Sequence, residues 1–198
     1  MQNKTPLMLD AFLQHRTIGQ PYFSPNGDAV VFPVKSANTE QDRYDCALWL
    51  WDGDTVRPLT ACGDVKAYGW LDHSTVLFSV GNSARGLAPQ PECGRGTHFY
   101  RVNRDHAPEH FGFVPFTVDK IAPCGSRVAL LTGLEDCEEQ AQDCAQAALP
   151  QLKIHPADYE RLDELPFWKN GRGFCSKKRQ MLMLWDPATK KHCRISDP

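Results

Sequence analysis

No apolar run in this 198-residue sequence approaches the roughly 20 residues that a membrane-spanning helix needs. The opening, MQNKTPLMLD, lacks the basic segment and long apolar core of a secretion signal, and a cytoplasmic location is the expectation. Positive charge is not in excess: 22 Lys and Arg stand against 24 Asp and Glu, for a net charge of -2. A nucleic acid or an anionic membrane would find no general attraction here, and neither is expected as a partner. The eight cysteines contain no C-x-x-C pair, and without a secretion signal they read as free thiols. There is no G-x-S-x-G elbow for a serine nucleophile, and no Gly-rich phosphate loop between a strand and a helix. No catalytic residue, metal site or cofactor is therefore expected within the chain. At 41% hydrophobic and 23% charged it is ordinary globular material, outside the disordered range.

What is present is a repeated β pattern. Tyr22-Phe-Ser-Pro-Asn-Gly27 runs into Asp28-Ala-Val-Val-Phe32, Tyr68-Gly-Trp-Leu-Asp-His73 into Ser74-Thr-Val-Leu-Phe78, and Lys120-Ile-Ala-Pro-Cys-Gly125 into Ser126-Arg-Val-Ala-Leu-Leu131. The turn ends Gly27, His73 and Gly125 lie 46 and 52 residues apart, which is the repeat length of a propeller blade. Two more strands follow in each unit: 47–51 and 56–59, 97–102 and 110–114, 180–185 and 190–195. The pairs Trp51-Asp52 and Trp185-Asp186 mark a strand end and the turn after it. The spacing predicts an all-β chain, a partial β-propeller of three four-stranded antiparallel blades over about 21–62, 64–115 and 116–196. A lead-in over 1–20 reads as a short helix, with Thr5 as N-cap, Pro6 at the first position, and Leu9, Phe12 and Leu13 on one face. A second helix is expected over 135–149, acidic at its start and stopped by Pro150.

A closed propeller needs at least four blades, since a partial ring leaves apolar blade faces open to water. The chain is thus expected to be the front of a longer protein, and to self-associate or dissolve poorly when made alone. The connections between second and third strands are the long ones: 35–45, 81–96 and 133–178. In an up-and-down blade these emerge on one side, so all three are predicted to crowd the binding face. Within them Glu164, and after it Asp163, suit an ionic contact to a peptide's free amino terminus. Arg85 and Arg95 suit a carbonyl or carboxylate.

Two other motifs are given plainer readings. His106-Ala-Pro-Glu-His110 fits the metalloprotease pattern H-x-x-E-H, but Pro108 lies inside it and strands flank it, so it reads as a hairpin. Asp52-Gly53-Asp54 lacks the further carboxylates of a calcium site and reads as a hairpin turn.

With these units placed, the whole chain resembles the N-terminal part of a prolyl oligopeptidase-family serine peptidase, on the branch of acylaminoacyl and dipeptidyl peptidases. The resemblance rests on Phe23-Ser-Pro-Asn-Gly-Asp28, Leu48-Trp-Leu-Trp-Asp52 with Arg57-Pro-Leu-Thr60, and Asp163-Glu-Leu-Pro-Phe-Trp-Lys-Asn-Gly-Arg-Gly-Phe174 followed by the strand to Asp186. It implies a propeller capping a C-terminal α/β-hydrolase domain that carries the Ser, Asp and His triad, with peptides as substrate. No triad residue maps onto this chain. The alternative is a non-catalytic propeller that binds a protein or ligand, and the sequence downstream of residue 198 separates the two.

Overall fold

The computed structural model describes residues 10–81, 84–87, 96–134, 167–169, 173–175 and 179–196. In the first sheet burial alternates along Arg43–Trp51, where Cys46, Leu48 and Leu50 are buried and Ala47, Trp49 and Trp51 turn to the other face, although the run 46–51 is apolar throughout. This sheet comprises β1 (Thr17–Ile18), β2 (Tyr22–Phe23), β3 (Val30–Asn38), β4 (Arg43–Trp51) and β5 (Val56–Pro58), all antiparallel. Both β1 and β2 pair with the same edge of β3, so together they form one first strand broken at residues 19–21. Sheet two is the meander β6 (Val65–Trp70), β7 (Thr75–Val80), β8 (Thr97–Asn103) and β9 (Glu109–Val114). Sheet three is β10 (Lys120–Cys124), β11 (Arg127–Leu134), β14 (Arg179–Asp186) and β15 (Lys191–Arg194). Between β11 and β14, β12 (Phe167–Lys169) and β13 (Gly173–Cys175) form a separate hairpin. The described residues are thus all-β apart from one 3-10 turn, in antiparallel sheets arranged like propeller blades.

Three expectations meet the structure differently. The segment 35–45 is not an inserted loop: β3 and β4 stay paired out to Asn38 opposite Arg43, leaving only a tight turn. The Asn38 side chain explains this, because it accepts the Gln41 N–H at 3.2 Å and donates to Asp45 at 2.8 Å, closing the hairpin with polar residues. The long connection 133–178 is not all loop, since Phe167–Lys169 and Gly173–Cys175 pair within it as a hairpin. The described part of the lead-in is a 3-10 turn at Ala11–Gln14, which buries no residue and leaves Phe12 exposed, followed by strand β1. A single turn beside one sheet has too little surface to bury a helical face. Residues 1–9 and the helix expected over 135–149 lie outside the described residues.

Two apolar clusters stack the sheets. Val31, Leu48 and Leu50 of sheet one meet Val76, Phe78 and Tyr100 of sheet two. On its other face sheet two sends Leu77 and Phe99 against Val128, Leu130, Met181 and Trp185 of sheet three. Sheet two is therefore buried on both faces, which is why β7 reads Val-Leu-Phe without alternation. A register slip between Val65 and Tyr68 lets β6 serve both sides, Val65 toward sheet one and Ala67 toward sheet three. The Ser79 hydroxyl takes up the Ala67 N–H at the slip, at 3.1 Å.

The Trp-Asp pairs end their strands in a turn, and Asp72, two residues after Trp70, does the same. The carboxylates of Asp52, Asp72 and Asp186 each accept backbone N–H groups two and three residues on, closing the turn after the strand. Those hydrogen bonds hold Asp52 and Asp186 below the usual carboxylate range, through Thr55 and Thr189 first. At Asp72 burial pushes the other way and hydrogen bonds from Ser74 and Thr75 outweigh it.

A polar clamp also ties sheets one and two. Arg104, in the β8–β9 turn, reaches Asp28 at 3.0 and 3.3 Å, donates to the His73 carbonyl at 2.7 Å and covers the Trp70 ring. Its guanidinium, and then the Ser24 hydroxyl at 2.6 Å, hold the Asp28 carboxyl at about 2. Because this carboxyl titrates lower in the folded chain, its stabilisation is complete above the unfolded value of about 3.9. It is lost as pH falls from there through about 2. Urea midpoints measured from pH 5 to pH 2 should fall more steeply for the native chain than for Arg104→Met. Parallel curves would remove the clamp from the account.

Candidate functional site

The β strands end around a cavity of about 1160 Å³ lined by sheets one and two and by the segment that leads into sheet three. Lys35 and Tyr44 reach it from sheet one, Asp64, Lys66 and Tyr68 from β6 and the residue before it, and Asp119 from the segment that enters sheet three. Gly81 and Gly96, the two ends of the second long connection, line it as well. The cavity therefore sits where the 35–45 hairpin and the 81–96 connection leave the sheets.

Most of its polar groups are already engaged. Lys66 Nζ lies 2.7 Å from Asp64 Oδ1. Gly81 leaves room for that pair, since a Cβ there would stand 2.3 Å from an Asp64 oxygen and 2.5 Å from a Lys66 carbon. The Thr97 hydroxyl donates to the Phe116 carbonyl at 2.8 Å and accepts the Val118 N–H at 3.1 Å. Tyr68 donates to the Gln20 carbonyl, and burial, reinforced by Tyr22, pushes its phenol up to about 12. Burial likewise raises the Cys46 thiol, with Lys35 opposing. The Tyr68 and Thr97 hydroxyls and the Asp64–Lys66 pair are thus each engaged within the chain.

Of the four residues picked from the sequence, only Arg85 is described. Its guanidinium donates to the Gln41 side chain and stands 4.0 Å from Asp45 Oδ1, while its N–H bonds the Cys62 carbonyl at 3.0 Å. Asp45 also receives Arg43 at 2.9 Å. Arg85 thus straps the second connection to the first hairpin. Glu164, Asp163 and Arg95 lie outside the described residues. The cavity residues Asp64, Lys66 and Asp119 were not among the picks. Their one sequence signal is polar residues at the start of otherwise buried inner strands, and that signal is faint.

The H-x-x-E-H segment is the β8–β9 hairpin. His106 lies in its turn, and His110 on β9 places Nε2 3.1 Å from His98 Nδ1. Burial lowers both imidazoles, His98 further through its neighbour. Among the described residues no three His, Cys, Asp or Glu side chains gather as a metal site, and no helix is long and apolar enough to cross a membrane.

No family model matches the chain, and no curated protein matches it. Solved structures do. The acylaminoacyl peptidase of Pyrococcus horikoshii overlays with a TM-score of 0.64 at 10% identity, covering 94% of this chain and 26% of that one. An acylaminoacyl peptidase in complex with Z-Gly-Gly-Phe-chloromethyl ketone overlays at 0.60 and 10% identity, with 93% and 26% covered. The isopeptidase AtxE2 overlays at 0.58 and 10% identity, with 96% and 32% covered. At this identity the likeness is one of fold, and the chain spans about a quarter to a third of the length of these proteins.

Proposed function

We propose that this chain is the front part of a substrate-gating β-propeller in a serine peptidase of the prolyl oligopeptidase family. The three sheets are then adjacent blades of an open arc. The observation that carries this reading is the overlay, which takes in nearly all of this chain and only 26% of the peptidase. The outer face of sheet one supports it. Phe23, Val30, Trp51 and Val56 form one cross-strand row there, and Phe23, Trp51 and Val56 are exposed. A face of this kind suits a further blade. In this reading an α/β-hydrolase domain follows downstream and cleaves peptides by acyl transfer, in the cytoplasm. On the same reading the chain alone is inert.

The side with the long connections faces that domain. Glu164 first and Asp163 second contact the substrate's amino group, and Arg85 and Arg95 its carbonyls. A carboxylate–ammonium pair shielded from water contributes about 1–3 kcal/mol, or roughly fivefold and more in kcat/KM. In the full-length enzyme, Glu164→Gln should lower kcat/KM for peptides with a free amino terminus and leave N-acetylated ones unchanged. An unaltered ratio between the two substrates makes Glu164 a solvated loop acid. A purely binding propeller would share the same cavity; it differs in having no G-x-S-x-G followed by Asp and His in the coding sequence beyond residue 198.

A further inference from the structure

The H-x-x-E-H segment does supply one half of a histidine pair, but the partner of His110 is His98 and not His106. A fault in the β8–β9 ladder makes the pair. Phe99 faces Gly112 while Tyr100 faces His110, so Phe111 is an extra residue bulged out of register. In an unbroken ladder His110 would stand opposite Arg101, on the side away from His98, since alternate residues point to opposite faces. The bulge returns His110 to the face that carries His98 and Tyr100, which is turned to sheet one. Aromatic rings then hold both imidazoles. Phe113 lies against His98 with centroids 4.7 Å apart, and the Tyr100 ring meets His110 edge-on at 5.4 Å. His98 is 7% exposed, while His110 is open to solvent. Burial disfavours the charged form of both, which keeps them in the neutral state that offers a lone pair.

We propose that His98 Nδ1 and His110 Nε2 chelate one late first-row divalent cation, zinc or copper(II), with water in its remaining positions. The two nitrogens stand 3.1 Å apart, which is a chelating distance. Nitrogens about 2.0–2.1 Å from one ion are about 2.9 Å apart at a right angle and about 3.3 Å apart at a tetrahedral one. Without the ion, a single N–H fills the gap as a hydrogen bond between the rings. Moving that proton to the far nitrogen of its own ring frees both lone pairs, and no proton is released. Imidazole ligands select late transition metals over magnesium or calcium, which take oxygen. Two protein ligands are fewer than the three or four of a resident zinc, so the ion binds reversibly, entering from the exposed His110 side. Bound there, it braces β9, the last strand of sheet two, against β8 across the bulge. The site lies outside the cavity, and it stands whether or not a hydrolase domain follows.

The test is titration of the 198-residue chain with zinc chloride, followed by long-range proton–nitrogen NMR of the imidazole rings, a readout that thiols do not enter. His98 Nδ1 and His110 Nε2 should move together along one binding curve, leaving the ring protons on His98 Nε2 and His110 Nδ1. An excess of magnesium chloride should move neither. Joining two ligands raises affinity about 100- to 10,000-fold over either alone. His110→Gln should therefore weaken zinc binding at His98 about a hundredfold or more, and His98→Phe should do the same at His110. His110 is exposed, so its replacement does not threaten the fold and carries the test if His98→Phe fails to fold. Zinc should also raise the urea midpoint of the native chain more than that of His110→Gln. Shifts confined to other histidines, movement of one ring of the pair without the other, or an affinity that His110→Gln leaves unchanged would overturn the proposal. Because no catalysis is read, its failure is distinct from failure of the peptidase reading.

Discussion

Replacing Trp185 with alanine should cost about 3–5 kcal/mol, the range for emptying a buried aromatic site. Trp185 is 1% exposed and is the centre of the joint between sheets two and three. Its ring stacks on Phe99 with centroids 4.9 Å apart and meets Phe111 edge-on at 6.0 Å. Three sheets held by two apolar joints have no redundancy, so a cavity in one joint cannot be refilled from elsewhere. The indole N–H has no hydrogen-bond partner among the described residues, so Trp185→Phe loses area without orphaning a polar group and should be much the milder change. Urea unfolding of the two variants checks both statements. Equal, small effects would mean that the joint does not carry the stability assigned to it.

The second large effect is expected at Gly112, on the facing strand. A Cβ there would lie 2.6 and 2.8 Å from the Cζ2 and Cη2 atoms of Trp185. A long flexible side chain would yield, but this ring is clamped between Phe99 and Phe111 and has nowhere to go. Gly112→Val should therefore destabilise by about 1–3 kcal/mol through overpacking. The cause is separable from any loss of backbone freedom by a double-mutant cycle. In a Trp185→Ala background the extra methyl groups enter the space left by the indole, and the cost of Gly112→Val should shrink or reverse. A cost that stays the same in that background would place the strain in the backbone of β9.

Much of this joint was legible in the sequence. Met181, Met183 and Trp185 alternate with Leu182 and Leu184, and the Trp-Asp turn fixes where β14 stops. Strand–turn–strand units were legible too, because Gly27 and Gly125 adopt φ of +74° and +59°, a conformation that selects glycine. The broken first strand was not. Gly19 packs its α-carbon against the Pro33 ring, a contact between segments that local periodicity does not register. Hairpin 35–45 was missed for a related reason: its strands are held by Asn38, Arg43 and Asp45, and polar strand residues look like loop. The Asp28–Arg104 clamp joins residues 76 positions apart, and the cavity gathers side chains from the approaches to three sheets. Such sites are products of stacking, so only the stacked sheets display them. Lys35 fell within a predicted connection, and the faint signal at Asp119 gains meaning only from the Thr97 bonds to Phe116 and Val118 that bring it to the cavity rim.

The central claim is that this chain gates a serine peptidase whose catalytic domain lies beyond residue 198. The most direct measurement is fluorophosphonate labelling of the full-length gene product, with the modified residue located by peptide mass spectrometry. The account predicts one labelled serine per protein, downstream of residue 198 and within a G-x-S-x-G sequence, and no labelling of the 198-residue chain made alone. Absence of any labelled serine in the active, folded full-length product, or a label within residues 1–198, would contradict it.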